Sequence, residues 1–340
     1  MQISSPYFFL KVLLYFLLFS CQKESVYQQI EGKTMGTYYK VTYQGDLSAK
    51  YLKNQLDSML AAFNQEVSTY IDDALISKFN QSIEGIIIDT LQYNLFWENY
   101  RLSEKIYQQS NGSFDPTVMP LVNYWGFGYQ GKKPVSETDS LAVDSLLKFV
   151  GFGNISIQPL ENHQIFLQKH FAGVQLDFSG VAKGYGVDLL GNWLEINGIH
   201  NYLIDIGGEM RAKGKNPKNQ VWTIGISEPL ENSPFQNIYT KIELKDQSVA
   251  TSGNYRNFYE VNGQKFSHTI NPLNGFPQRH NLLSASVIAS NCATADAWAT
   301  AFMVMGLEKS IEWAKKNPDI ETYFIYNDGR DSLMAIQIRN

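Results

Sequence analysis

The chain has 340 residues, 44% of them hydrophobic, 14% aromatic and 18% charged, a globular composition able to bury one large core or two moderate ones. That aromatic content excludes a disordered chain, and two cysteines, Cys21 and Cys292, are too few for a disulfide scaffold or a thiolate metal cluster. Lys plus Arg total 28 against 33 Asp plus Glu, and a net charge of −5 argues against nucleic acid as a partner.

Residues 7–20 are apolar apart from Lys11, a run shorter than the roughly 20 residues that span a bilayer. They read as the core of a secretory signal. The stretch Leu18-Phe19-Ser20-Cys21, followed by a polar stretch, resembles a bacterial lipoprotein processing site. On that reading residues 1–20 are removed and Cys21 becomes the lipidated first residue. Residues 21–29 are then a tether, and 30–340 form a single folded unit. Lipid would hold the protein at a membrane surface without spanning it. A plain signal peptide and a short membrane anchor are the alternatives.

Residues 37–44 alternate as a strand, and Leu52, Leu56, Met59, Leu60 and Phe63 lie at helical spacing within 47–65. A second helix is expected from Thr90 to Ser110, capped by Asp89 and ended by Asn111-Gly112, and a third over 139–150. Strands are expected at 155–158 and 164–168, then at 174–178, 201–206, 221–227, 238–244, 255–261 and 265–270. A strand at 283–289 leads to a helix at 292–305, another helix and a hairpin around Asn327-Asp328-Gly329. Hairpin signals dominate the second half. The predicted fold is therefore α+β, with mixed or antiparallel sheets and flanking helices, in one or two lobes.

Gly126 to Gly131 spells G-x-G-x-x-G, but it follows no predicted strand and runs into Lys-Lys-Pro, so it lacks a helix start for a pyrophosphate. Residues 176–188 (LDFSGVAKGYGVD) are more informative. A strand ending in Asp177 turns at Ser179-Gly180 and enters a helix carrying Lys183, an arrangement suited to an anion. A capped turn with solvated charges is the alternative. In residues 291–301 (NCATADAWATA), Asp296 and Thr300 lie four apart and share a helical face. Carboxylate and hydroxyl oxygens are hard ligands that suit Mg²⁺, although a tightly packed alanine-rich helix needs no metal. His268, in residues 266–275 (FSHTINPLNG), is a candidate general base or a hydrogen-bonded structural histidine. Residues 34–37, 68–70, 112–117 and 205–209 each read singly as a turn or a strand end.

Together and in this order these segments resemble the ApbE family, the FAD:protein FMN transferases, over about residues 30–335. The resemblance implies a single catalytic unit of ApbE-like, T-fold-related type. It implies a Mg²⁺-dependent enzyme that takes FAD as substrate, cleaves its pyrophosphate and attaches FMN through a phosphoester to a Ser or Thr hydroxyl of an acceptor flavoprotein. Family acceptors include subunits of membrane redox pumps and other extracytoplasmic flavoproteins, which fits a lipid-anchored protein of the bacterial cell envelope. Carried over by position, flavin contacts fall on Met35, Tyr70 and Ser113-Phe114-Asp115. Nucleotide contacts fall on Asp177, Lys183 and Ile270, and metal ligands on Gly180 and Ala299 through their carbonyls and on Asp296 and Thr300. His268 matches a histidine proposed as base, with Asp296 and Lys183 as the other catalytic groups. An FAD pyrophosphatase and a non-catalytic flavin-binding lipoprotein are the competing expectations.

Overall fold

The computed structural model describes residues 26–129, 135, 139–230, 237–255, 257–261, 263–329 and 332–339. The expected signal segment and Cys21 lie outside them. The strands are β1 (Tyr27–Thr34), β2 (Thr37–Gln44), β3 (Gly85–Asp89), β4 (Ile155–Pro159), β5 (Gln164–Lys169), β6 (Tyr202–Ile206), β7 (Glu209–Lys213), β8 (Trp222–Ser227), β9 (Ile238–Leu244), β10 (Ser248–Gly253), β11 (Phe258–Val261), β12 (Gln264–Ser267), β13 (Leu282–Ala289), β14 (Glu321–Asn327) and β15 (Leu333–Ile338). The helices are α1 (Ala49–Val67), α2 (Leu75–Gln81), α3 (Asn94–Gln109), α4 (Met119–Tyr124), α5 (Ser140–Leu147), α6 (Ala182–Ile196), α7 (Cys292–Met305) and α8 (Leu307–Lys316). The class is α+β.

One antiparallel sheet runs β1-β2-β6-β7-β10-β13-β14-β15 and organises the rest. Its alternation sets two faces. From β2, Tyr39, Val41 and Tyr43 turn inward with Ile204 and Ile206 of β6, and α1 and α6 cover them with Leu52, Leu56, Leu60, Val187 and Leu190. Each such fully buried apolar side chain contributes about 1.5–3 kcal/mol. The hairpin β8–β9 covers the opposite face through Trp222, Ile224, Ile242 and Leu244 against Val249, Ile288 and Ile325. Helix α7 is buried nearly all round. Its alanines let β10, β13 and α6 approach closely, and Trp298 and Phe302 fill the space beyond.

Several sequence expectations change. Tyr27, Gln28 and Gln29 already pair with Gln44, Tyr43 and Thr42, so the sheet starts inside the stretch read as a tether. The long helix starts at Asn94 rather than Thr90, because the Asp89 carboxylate accepts from the Leu91 and Gln92 N–H groups and closes a turn first. Residues 174–178 form no strand. Their hydrogen bonds go instead to a side chain and a loop: Asn80 both donates to Leu176 O (2.8 Å) and accepts from Leu176 N (2.7 Å), and Asp177 N donates to Pro116 O (2.7 Å). The Gly126 segment follows helix α4 rather than a strand, consistent with its rejection as a dinucleotide loop.

Candidate active site

Two helix beginnings meet behind the central strands, and buried hydrogen bonds lock them together. Asp188 of α6 accepts from the N–H groups of Cys292 (2.9 Å) and Ala293 (2.8 Å), capping α7 from outside, while Asn291 caps it locally. In return, Asp296 of α7 accepts from Gly184 N (2.9 Å) on α6. Gly184 permits the contact, since a Cβ there would overlap the backbone of Cys292 and Ala293. Arg211 of β7 reaches Asp188 (3.2 Å) and Glu195 (2.7 Å), tying the pair of helices to the sheet.

At this corner Lys183 Nζ lies 2.6 Å from Glu209 Oε1 and 4.0 Å from Asp296 Oδ1. Burial would push the Lys183 ammonium down, but Asp296 and Glu209 outweigh it and hold the group above the ordinary lysine value. Burial raises both carboxylates against the pull of Lys183, and Glu209 is brought to about 7. Two buried carboxylates thus face one ammonium, and among the described residues Glu209 Oε2 is buried without a hydrogen-bond partner. The corner is short of positive charge.

Beside it, Thr300 lies one turn along α7 from Asp296, facing Gly180. A Cβ on Gly180 would stand 3.2 Å from Thr300 Oγ1, so the glycine leaves a small cleft between a hydroxyl and its own backbone. Among the described residues no three His, Cys, Asp or Glu side chains come together to hold a metal. An ion here would rely on one carboxylate, a hydroxyl, carbonyls and a ligand's own phosphates, which is how Mg²⁺ is commonly held. The donor set and the unbalanced negative charge both fit it. Ala299 is fully buried and is absent from the cavity wall, unlike Gly180, Asp296 and Thr300.

Gly180, Lys183, Glu209, Asp296 and Thr300 open into one cavity of about 550 Å³, within the ~300–1,000 Å³ usual for small-molecule sites. Met35 enters from the β1–β2 turn in the left-handed conformation (φ 49°). Tyr70 stands on the rim, 72% exposed, with burial of its hydroxyl end and the Asp177 carboxylate raising its pKa. Ser113, Phe114 and Asp115 form a buried wall. Burial lifts Asp115 to about 7 although Thr117 donates to it through N–H (2.8 Å) and hydroxyl (2.6 Å). Burial also raises Asp177, whose carboxylate accepts from Ser179 N (2.9 Å) and Oγ (2.7 Å). Ile270 and His268 close the opposite side.

His268 Nδ1 is 3.0 Å from the Asn257 carbonyl oxygen, which can only accept. The proton therefore sits on Nδ1, leaving Nε2 as the basic nitrogen. Burial pushes the imidazole below its ordinary value, the Asn257 bond opposes this, and Lys183 adds to the lowering. The ring is neutral at physiological pH. Cys292 is the reverse case: burial, then Asp188, raises its thiol, and its Sγ points at the Met210 and Val249 carbonyls. It is a packing residue.

An ammonium, hard oxygen donors and a neutral imidazole around a cavity for a large polar ligand are the equipment of a phosphoryl-group transferase. The sequence model of the ApbE family matches residues 35–324. Over 307 residues the chain is 36% identical to the FAD:protein FMN transferase of Vibrio cholerae serotype O1, covering 88% of each. It is 33% identical over 305 residues to that of Escherichia coli K12, covering 88% of this chain and 84% of that one. The solved flavin transferase ApbE from Vibrio cholerae superposes with a TM-score of 0.80 at 32% identity, covering 92% of this chain and 97% of that one. The apo flavinyl transferase ApbE of Pseudomonas stutzeri gives 0.80 at 30% identity, covering 93% and 96%. This chain belongs to the ApbE family.

Sequence reading singled out Lys183, Asp296 and His268 but treated Glu209 as a strand end and Gly184 and Asp188 as bystanders. The available signal for Glu209 was its position after Gly207-Gly208, where a turn delivers a carboxylate to the start of β7. For Gly184 and Asp188 it was their four-residue spacing on the face of α6 that meets α7.

Proposed function

We propose that the cavity binds FAD with Mg²⁺ and joins FMN to a Ser or Thr hydroxyl of an acceptor flavoprotein, releasing AMP. The activity is that of an FAD:protein FMN transferase, as its relatives are named. The observation that carries the reading is the meeting of Lys183, Asp296, Thr300 and Gly180 with His268 in one cavity of an ApbE-family chain. The acceptor oxygen attacks the phosphorus on the FMN side, the bond to the AMP phosphate oxygen breaks, and AMP leaves. His268 Nε2 takes the hydroxyl proton, a step that typically contributes about 10²–10⁴-fold. Lys183, held by Glu209 and Asp296, offers its ammonium to the negative charge that builds on the phosphate oxygens. Asp296, Thr300 and the Gly180 carbonyl, which line the cavity, would hold Mg²⁺, an ion that when bound neutralises pyrophosphate charge, whereas Ala299 lies behind the wall. Met35, Tyr70 and the Ser113–Asp115 wall would hold the flavin, and Asp177 and Ile270 the rest of the nucleotide. The cavity suits water as attacker equally well, so FMN and AMP release by hydrolysis is the second reading.

The N-terminal reading completes the proposal: Cys21 is acylated and places the enzyme on a membrane of the bacterial envelope, beside acceptors such as subunits of membrane redox complexes. Mass spectrometry of the membrane-extracted chain should find residues 1–20 missing and Cys21 carrying lipid. For the activity, residues 22–340 incubated with FAD, Mg²⁺ and candidate flavoprotein subunits should give a fluorescent flavin band on a denaturing gel. AMP release with no labelled protein across the candidates assigns the hydrolase; bound FAD with neither product assigns a plain flavin binder.

A further inference from the structure

Strand β10 pairs with β13 along its whole length, from Ser248 opposite Ala289 to Gly253 opposite Ser284. On its other side the ladder to β7 stops after Ser248–Arg211 and Val249–Met210. Ala212 N donates to Gln247 O at 3.0 Å, which fixes the phase: the backbone groups of Gln247 and Val249 face β7, and by the two-residue period those of Thr251 and Gly253 face the same way. Gly208 stands where β7 would continue opposite Thr251, but its N–H turns back to Asp205 Oδ1 at 2.8 Å. Among the described residues nothing pairs with this side of Thr251.

The open edge lies in the wall of the cavity, where Thr251, Ser252 and Gly253 appear with Gly207 and Glu209. Ser252 Oγ is 3.3 Å from Thr300 Oγ1, so the edge passes the cleft beside Gly180. Opposite it the turn is made of Gly207 and Gly208, both at positive φ, and nothing lies within 4 Å of where a Gly208 Cβ would stand. The turn carries no side chain to block an approaching main chain.

We propose that an extended segment of the acceptor protein adds to β10 at Thr251–Gly253 as a further strand, an inference that rests on the transferase reading. The reaction needs a protein hydroxyl deep in the cavity, and main-chain pairing supplies affinity for an extended chain while leaving its alternate side chains to the cavity wall. It also orients the hydroxyl. Ser252 turns toward α7, so the incoming residue opposite Ser252 shares that face and points its hydroxyl at Thr300.

Thr251→Pro in residues 22–340 removes the edge N–H and crowds the incoming strand, while the groups that bond β13 belong to Ser248, Ala250 and Ser252. With FAD, Mg²⁺ and the flavoprotein subunit that wild type labels most, labelling should fall about tenfold or more, the loss expected for removing main-chain pairing. FAD affinity, read by flavin fluorescence titration, should stay within about twofold. Unchanged labelling overturns the proposal, as does an equal loss of FAD affinity, which would give the edge to the nucleotide. Hydrogen exchange on wild type serves should the variant misfold. The Thr251 amide should gain protection from the acceptor and none from FAD alone, and protection by FAD alone or none from the acceptor overturns the proposal. A wild type that labels no acceptor defeats the transferase reading itself, before any variant is made.

Discussion

The corner where α6 meets α7 and the parts of the cavity wall that carry His268 and Tyr70 are built to opposite rules. In the corner, Asp188, Gly184 and Asp296 are buried and joined by hydrogen bonds that cross between the helices. The carboxylate and ammonium positions are thereby fixed before any ligand arrives. Elsewhere on the wall, Tyr70 is largely exposed at the rim, and His268, although largely buried, is anchored chiefly through the one Asn257 carbonyl. Groups that must hold a diphosphate gain from preorganisation, whereas groups that admit a second macromolecule must leave room.

Substitutions can break that contrast. The largest effect is expected for Asp296→Ala. Flavin labelling should disappear, and the orphaned Gly184 N–H should cost about 1–3 kcal/mol of stability by denaturant titration; retained labelling would remove the corner from the chemistry. His268→Ala, on the facing wall, should slow labelling by about 10²–10⁴-fold with stability and FAD binding retained. The same residue sets a pH dependence. Its pKa lies below the ordinary 6.5, so the basic form dominates above that value and labelling should fall only as pH drops further. An activity rise centred above pH 7 would point to another base.

Gly184→Ala tests the rigidity alone. Its Cβ must displace the Cys292 backbone, so a loss of about 1–3 kcal/mol is expected, together with weakened Mg²⁺ dependence in the labelling assay. The smallest effect is sought far from either region, at Lys169. Its ammonium is buried beside Phe79, donates to Asn80 O (3.1 Å) and Ser82 O (2.9 Å), and is lowered by burial from 10.5 to about 8. Between those values the unfolded chain holds a proton the folded chain has released, so stability rises with pH across the window. In Lys169→Met that contribution should vanish, flattening the wild-type rise in melting temperature without altering labelling.

Much of this architecture could be read from residue patterns, and the exceptions have physical reasons. Apolar spacing located α1, α7, β2 and β13 because each buries one clear face or a continuous run. The central strands β7 and β10 escaped, because Glu209–Lys213 and Ser248–Gly253 are short and polar or glycine-ended, and only their neighbours make them strands. Residues 174–178 failed in the other direction: an alternating segment needs a partner strand, and Asn80 had taken that place. For the site, local motifs brought out Lys183, Asp296 and His268. Glu209 gains its meaning only when the turn at Gly207-Gly208 swings it onto Lys183, a contact between residues far apart in the chain.

Cys292 has a practical consequence. Its sulfur is fully enclosed at the start of α7 and its thiolate is disfavoured by burial and by neighbouring carboxylates. A chain starting at residue 22 therefore carries a single native thiol, and one that resists alkylating probes. A cysteine introduced at an exposed position on the rim would be the reactive one, so a fluorophore or spin label there could report arrival of a partner chain without first removing a native thiol.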